Sequence, residues 1–106
     1  MKHPIISNLI GEYFMKLTLK FLRPFKDIIG KSELELEIKL KSLKDLLEIL
    51  VEKYPKLEKE FFTKKDELTE YVCIFLNDKP ISALNLLDTK LKNGDNILFF
   101  IPVSGG

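Results

Sequence analysis

The chain has 106 residues, 45% of them hydrophobic and 31% charged, with a formal net charge of +1. That suits one compact domain and excludes a chain too polar to bury a core. The near-neutral balance gives no nucleic-acid or acidic-substrate signal, and no apolar run approaches the ~20 residues of a membrane-spanning helix.

The single cysteine excludes an intrachain disulfide framework and fits a reducing cytosol, so a cytoplasmic location is expected. Residues 1–14 mix Pro4-Ile5-Ile6 with Ser7-Asn8. They lack the basic start, apolar run and cleavage site of a signal peptide. A second methionine, Met15, directly precedes a clean strand pattern. Residues 1–14 are therefore read as an extension, or an upstream start choice, expected to be poorly ordered, and residues 15–106 as the domain.

Leu17, Leu19 and Phe21 alternate with Lys16, Thr18 and Lys20, the period of a half-buried strand. Pro24 and Gly30 bracket a connection. Leu34, Leu36, Ile38 and Leu40 then alternate with Glu33, Glu35, Glu37 and Lys39, which predicts a second strand in an antiparallel pair with one wet face. The period next changes. Leu43, Leu46, Leu47, Leu50 and Tyr54 form one stripe of a helix, with Ser42 as its N-cap and Asp45 at the capping-box position. Pro55 marks the stop. Leu57 and Phe61 are spaced for a second short helical piece, and Thr63 to Glu70 reads as a polar surface loop.

Tyr71 to Leu76 is a continuous apolar run closed by the turn signal Asn77-Asp78-Lys79-Pro80, which predicts a central strand with little exposed surface. Ile81 to Leu87 is short and ambiguous. Asn93-Gly94-Asp95 is a tight turn, and Asn96 to Val103 is the last strand. The order predicts an α+β roll in two layers, with one main helix on one face of a sheet of about four to five strands. The chain has no internal repeats and no low-complexity segments.

The ending Phe99-Phe100-Ile101-Pro102-Val103-Ser104-Gly105-Gly106, after a turn and a hydrophobic strand, resembles the MoaD/ThiS family of ubiquitin-like sulfur carriers. Within that family the small subunit of molybdopterin synthase is most similar. The order of elements over residues 15–106 is also similar to the family's β-grasp fold, and Phe25 and Lys26 before Ile29-Gly30 look like its first turn. Ile101 departs from the family, which often has a second proline there. The segment between Pro80 and Asn93 is longer, a change that bears on partner contacts.

The resemblance implies a carrier without catalysis of its own. A ubiquitin-activating-type enzyme, using ATP, would adenylate the carboxyl group of Gly106, and sulfur would convert it to a thiocarboxylate. The large catalytic subunit of molybdopterin synthase would then receive the tail. No bound cofactor, metal, nucleic acid or membrane is implied. A tail that enters a narrow channel favours glycine at the reacting end, where a Cβ would crowd the neighbouring backbone. Gly106 is the expected reacting residue, and Pro102, Val103, Ser104 and Gly105 form the inserted tail. Pro102 limits the freedom lost on insertion.

The last strand is apolar on both faces: Ile97, Phe99, Ile101 and Val103 point one way, and Leu98, Phe100 and Pro102 the other. With one strong helix, only one sheet face is covered, so the second face is expected to stay partly open. Leu22 has the parity of that open face. In the resemblance, the positions matching Leu22 and Phe100 belong to the apolar patch that docks the activating enzyme.

Cys73 lies in Val72-Cys73-Ile74 without a cysteine-protease-like set of partners, and is expected to be a small buried hydrophobe. His3 is the only histidine and cannot form a triad or metal site alone. Two further functions share the same activated end: a ubiquitin-like modifier joined to lysines through Gly106, and a sulfur carrier for tRNA thiolation. A structural β-grasp module without tail chemistry is the blander alternative.

Overall fold

A computed structural model describes residues 14–64 and 67–102. Residues 1–13 of the extension, and Val103, Ser104, Gly105 and Gly106 of the tail, lie outside the described residues.

The first strand, β1 (Phe14–Phe21), buries Met15, Leu17, Leu19 and Phe21 while Lys16 and Lys20 stay exposed. The period-two pattern thus sets the strand's two faces. The connection after it holds a short helix, α1 (Phe25–Ile29), anchored by buried Phe25 and Ile29. It ends at Gly30, whose φ of +88° is the left-handed cap that glycine adopts without penalty. Strand β2 (Glu33–Lys39) returns antiparallel to β1, in a register that sets Leu17 opposite Leu36 and Leu19 opposite Leu34. On the outer face the same register sets Lys16 opposite Glu37 and Lys20 opposite Glu33, which favours pairing of these strands.

The main helix, α2 (Leu43–Lys53), buries Leu43, Leu46, Leu47 and Leu50. Its capping box is complete: the Asp45 N–H donates to Ser42 Oγ at 3.5 Å, and the Ser42 N–H donates to Asp45 Oδ2 at 3.4 Å. Tyr54 ends the helix before Pro55, as the sequence requires. A 3₁₀ turn (Pro55–Leu57) and helix α3 (Glu58–Phe61) follow and bury Leu57 and Phe61.

Two expectations need correction beyond this point. The segment Thr63 to Glu70 is not wholly loop. Strands β3 (Phe62–Lys64) and β4 (Glu67–Leu68) form a small antiparallel hairpin. One pair, Phe62 and Leu68, is apolar and half-buried and the other, Lys64 and Glu67, is exposed, and strands of two and three residues are too short to announce themselves by alternation. The run from Tyr71 is not a fully covered central strand either. Strand β5 spans only Cys73–Leu76, and Tyr71 is 65% exposed. The Thr69 hydroxyl accepts hydrogen bonds from the N–H groups of Tyr71 and Val72 and turns the chain before the strand begins.

Asn77 and Asp78, with φ of +49° and +72°, make the turn into the two-residue strand β6 (Lys79–Pro80). Two 3₁₀ turns (Ile81–Ala83 and Leu86–Asp88) carry the chain across to the Asn93–Gly94 turn. The last strand, β7, spans Asn96–Phe100. It runs parallel to β1 and antiparallel to β5. The five-stranded sheet therefore has the order β2-β1-β7-β5-β6. With α2 on one face it is a mixed α+β roll of β-grasp type.

The core lies between sheet and helices. Its aromatic centre is Phe21, Phe25, Phe61 and Phe99, each with 0% exposure. Phe21 and Phe99 stack at 5.3 Å between ring centroids, and Phe25 and Phe61 at 5.2 Å. Buried Asp95 ties the turns at one end of the sheet. It accepts from Asn77 Nδ2 at 2.8 Å and from the Lys92 N–H at 2.7 Å.

Candidate functional site

β7 leads directly into the tail, so the surfaces at its end are the first to consider. Its burial alternates as the sequence predicts. Ile97 and Phe99 are buried under the helices, while Leu98 and Phe100 are half-buried on the other face. Ile101 is still held, because its N–H donates to the Arg23 carbonyl at 3.4 Å. Pro102 is exposed, and is the last described residue before Val103.

The parallel register sets Lys20 beside Leu98 and Phe21 beside Phe99. The Leu22 N–H donates to the Phe99 carbonyl at 3.0 Å, which extends the ladder by one step and sets Leu22 next to Phe100 on the open face. Leu22 is 51% exposed. The two residues expected to share this face are therefore neighbours near the root of the tail.

The structure adds two residues that the sequence reading did not assign. Phe75 lies half-buried on the same face, and its ring stacks on Phe100 at 5.8 Å between centroids. Cys73 is paired with Phe100 across the sheet and is also half-buried. The expectation that Cys73 is a core residue is thus corrected: Ile74 takes the core side of β5, and Cys73 points to the open side. The period-two rule, applied to Tyr71–Leu76, contained this split. An apolar run with no polar alternation did not say which parity faced the core.

The open face is divided in character. The end near the tail is apolar, formed by Leu22, Cys73, Phe75, Leu98 and Phe100. The β1 and β2 end carries Lys16 and Lys20 beside exposed Glu33, Glu35 and Glu37. An apolar patch with a charged flank is an arrangement suited to a protein partner. It holds no nucleophile–base pair. Among the described residues, no group of three or more His, Cys, Asp or Glu is placed to hold a metal ion. Among the same residues, no helix is long and apolar enough to cross a membrane.

Comparison with known proteins places these features in context. A family model described as the ThiS family matches residues 19–106. No curated protein matches the chain at a comparable level. The solution structure of small archaeal modifier protein 1 from Methanosarcina acetivorans is 32% identical, with a TM-score of 0.75 over 89% of this chain and 99% of that one. A putative molybdopterin converting factor, subunit 1, from Pyrococcus furiosus is 28% identical, with a TM-score of 0.64 over 84% of this chain and 99% of that one. A chain of the BexX/CysO complex from Amycolatopsis orientalis is 19% identical, with a TM-score of 0.69 over 85% of this chain and 99% of that one, and is alike in fold.

Proposed function

The chain belongs to the ThiS family of ubiquitin-like sulfur carriers, and from that premise we propose that its working group is the carboxyl end of Gly106, activated and loaded with sulfur by partner enzymes. The observation that carries this reading is the apolar patch of Leu22, Phe75 and Phe100 at the root of a tail that ends Pro102-Val103-Ser104-Gly105-Gly106.

The small carriers of this family are non-catalytic, so the chemistry falls to the partners. A ubiquitin-activating-type adenylating enzyme docks on the open face and draws in the tail. The Gly106 carboxylate attacks the α-phosphate of ATP, and pyrophosphate leaves. A sulfur donor then displaces AMP from the acyl-adenylate, which leaves a thiocarboxylate. Val103, Ser104 and Gly105 span the channel, and Pro102 stiffens the tail where it leaves the sheet. The large catalytic subunit of molybdopterin synthase next receives the tail, and the sulfur goes to the dithiolene of the pterin cofactor. The likeness to the putative molybdopterin converting factor subunit supports this acceptor.

A second reading has its own support. The 32% identity to a small archaeal modifier protein favours conjugation of Gly106 to lysines of other proteins. tRNA thiolation would use the same thiocarboxylate. All three share the activation step and differ in the acceptor.

The test is an intact-mass measurement after incubation with ATP, a sulfur donor and the native activating enzyme. The expected result is replacement of one terminal oxygen by sulfur, absent when Gly106 is deleted. An unchanged mass with an enzyme shown to be active would sink the carrier reading. Addition of the loaded chain to the synthase subunit or to cell protein then separates sulfur transfer from a conjugate ladder.

A further inference from the structure

A cavity of about 840 Å³ opens at the outer side of β5, away from the aromatic core. Strand β6 pairs only with Phe75 and Leu76, so no described strand continues the sheet beside Cys73 and Ile74. The segment from Ile81 to Asp88 forms the opposite wall. The walls are apolar, with Leu68, Phe75, Ile81 and Leu84 among them. The charged lining residues are Glu67, Glu70 and Asp88, all exposed, and among the described residues no lysine or arginine lines the cavity. The whole chain carries 17 Lys and Arg against 16 Asp and Glu, so the cavity is an acidic place on a balanced molecule.

The exposed large apolar residues gather at two places. Leu22 belongs to the patch at the root of the tail, and Leu84 and Leu86 stand in the cavity wall. Leu86 has a φ of +51°, a region that a branched side chain rarely occupies. Its side chain is nevertheless 54% exposed, so burial within the described residues does not compensate the strain. The turn is fixed by the Asn85 N–H donating to Thr89 Oγ1 and the Thr89 N–H donating to the Leu86 carbonyl, both at 3.0 Å. The fold thus holds a leucine outward, at a conformational cost, on the wall of an apolar and acidic cavity.

We propose that this cavity is a second contact for the adenylating partner, which seats in it an aliphatic side chain flanked by lysine or arginine. The inference rests on the carrier reading and adds the chemistry by which the partner is chosen. Three observations select this occupant. First, the cavity is continuous with the docking patch. Cys73 and Phe75 line it, and they also border Phe100, by strand pairing and by ring stacking. A partner seated on the patch therefore lies over the cavity mouth. Second, the charge is one-sided. Three carboxylates with no cation among the described lining residues attract a basic segment and repel an acidic one. Third, the walls are apolar and present Leu84 and Leu86, so the centre of the occupant is apolar and its flanks carry the charge. The patch supplies a contact that many apolar surfaces could match, and the cavity discriminates among them by charge.

The experiment measures adenylation of the full chain by the native activating enzyme at rising carrier concentration, in low and in high salt. Two variants are compared with the parent. Leu86→Asn removes the apolar side chain, and asparagine accepts a positive φ more readily than leucine, so the turn keeps its form. E70K/D88K reverses two exposed charges outside the core. Urea midpoints at or above the parental value check that both variants are folded. The expected result is a KM for the carrier on the order of tenfold higher in each variant, with kcat unchanged. The parental KM should also rise with salt, and E70K/D88K should lose or reverse that slope, which a merely structural role would not do. A normally activated parent with both variants at the parental KM overturns this inference and leaves the carrier reading standing. A parent that an active enzyme does not adenylate overturns both. Self-association of the parent that Leu86→Asn abolishes also overturns the inference, because it assigns the cavity to a second copy of the chain.

Discussion

Phe99 and Phe100 are adjacent and identical, yet the sheet gives them opposite duties, and alanine at each should separate stability from docking. Phe99 is 0% exposed, with ring contacts to Phe21 at 5.3 Å and to Phe61 at 5.7 Å. Its truncation removes a buried ring and leaves a cavity, a loss of about 3–5 kcal/mol for Phe→Ala. That is a large part of the ~5–15 kcal/mol by which a domain is stable. Phe100 is half-buried and has one stacked neighbour, Phe75 at 5.8 Å. Its truncation forfeits part of the ring's burial and one aromatic pair, about 1–2 kcal/mol. For docking the order reverses. A central aromatic anchor is worth about 2 kcal/mol or more at an interface, roughly 30-fold in affinity. Urea denaturation of both variants, with adenylation assayed at rising carrier concentration, reads the two effects. Phe99→Ala should lower the urea midpoint sharply while its folded fraction is activated normally. Phe100→Ala should stay folded and require a much higher carrier concentration. Equal midpoint losses would refute the assignment of faces. Unchanged activation of Phe100→Ala would refute the docking role.

Three further substitutions test other parts of the structure. Ser42→Ala removes the side-chain half of the capping box and should cost about 1 kcal/mol, seen as a lower thermal midpoint. Gly94→Ala meets no atom within 4 Å but must hold a φ of +91°, so it should lose about 1–2 kcal/mol by conformation alone, and D-alanine placed there by synthesis should recover most of it. Asp95→Ala strips the partner from Asn77 Nδ2 and from the Lys92 N–H, and should lower the urea midpoint by the equivalent of about 2–3 kcal/mol. If the Asp95 variant unfolds at the parental midpoint, the turn network contributes nothing measurable.

Much of this molecule is legible in the sequence because its signals are local. Strict alternation at Leu17–Phe21 and Leu34–Ile38 fixed two strands, the Leu43–Leu50 stripe with Ser42 and Asp45 fixed the main helix, and parity along Ile97–Phe100 separated core from open face. The tail's glycines and Pro102 can be read with no coordinates at all, because their proposed role depends on chain end and residue type.

What the sequence left open depends on which strands lie side by side. Tyr71–Leu76 is apolar at every position, so only its pairing with β7 reveals that Ile74 enters the core while Cys73 and Phe75 face outward beside Phe100. The β3–β4 hairpin is invisible to hydrophobic periodicity because its strands are too short to alternate: one apolar pair, Phe62 and Leu68, stands beside one exposed pair, Lys64 and Glu67. The cavity beside β5 likewise arises from a neighbour that stops at Pro80, a long-range fact that no local pattern encodes. Local chemistry determines what each segment is. The placement of one segment against another, set by burial summed over the whole core, decides which of its faces is left for a partner.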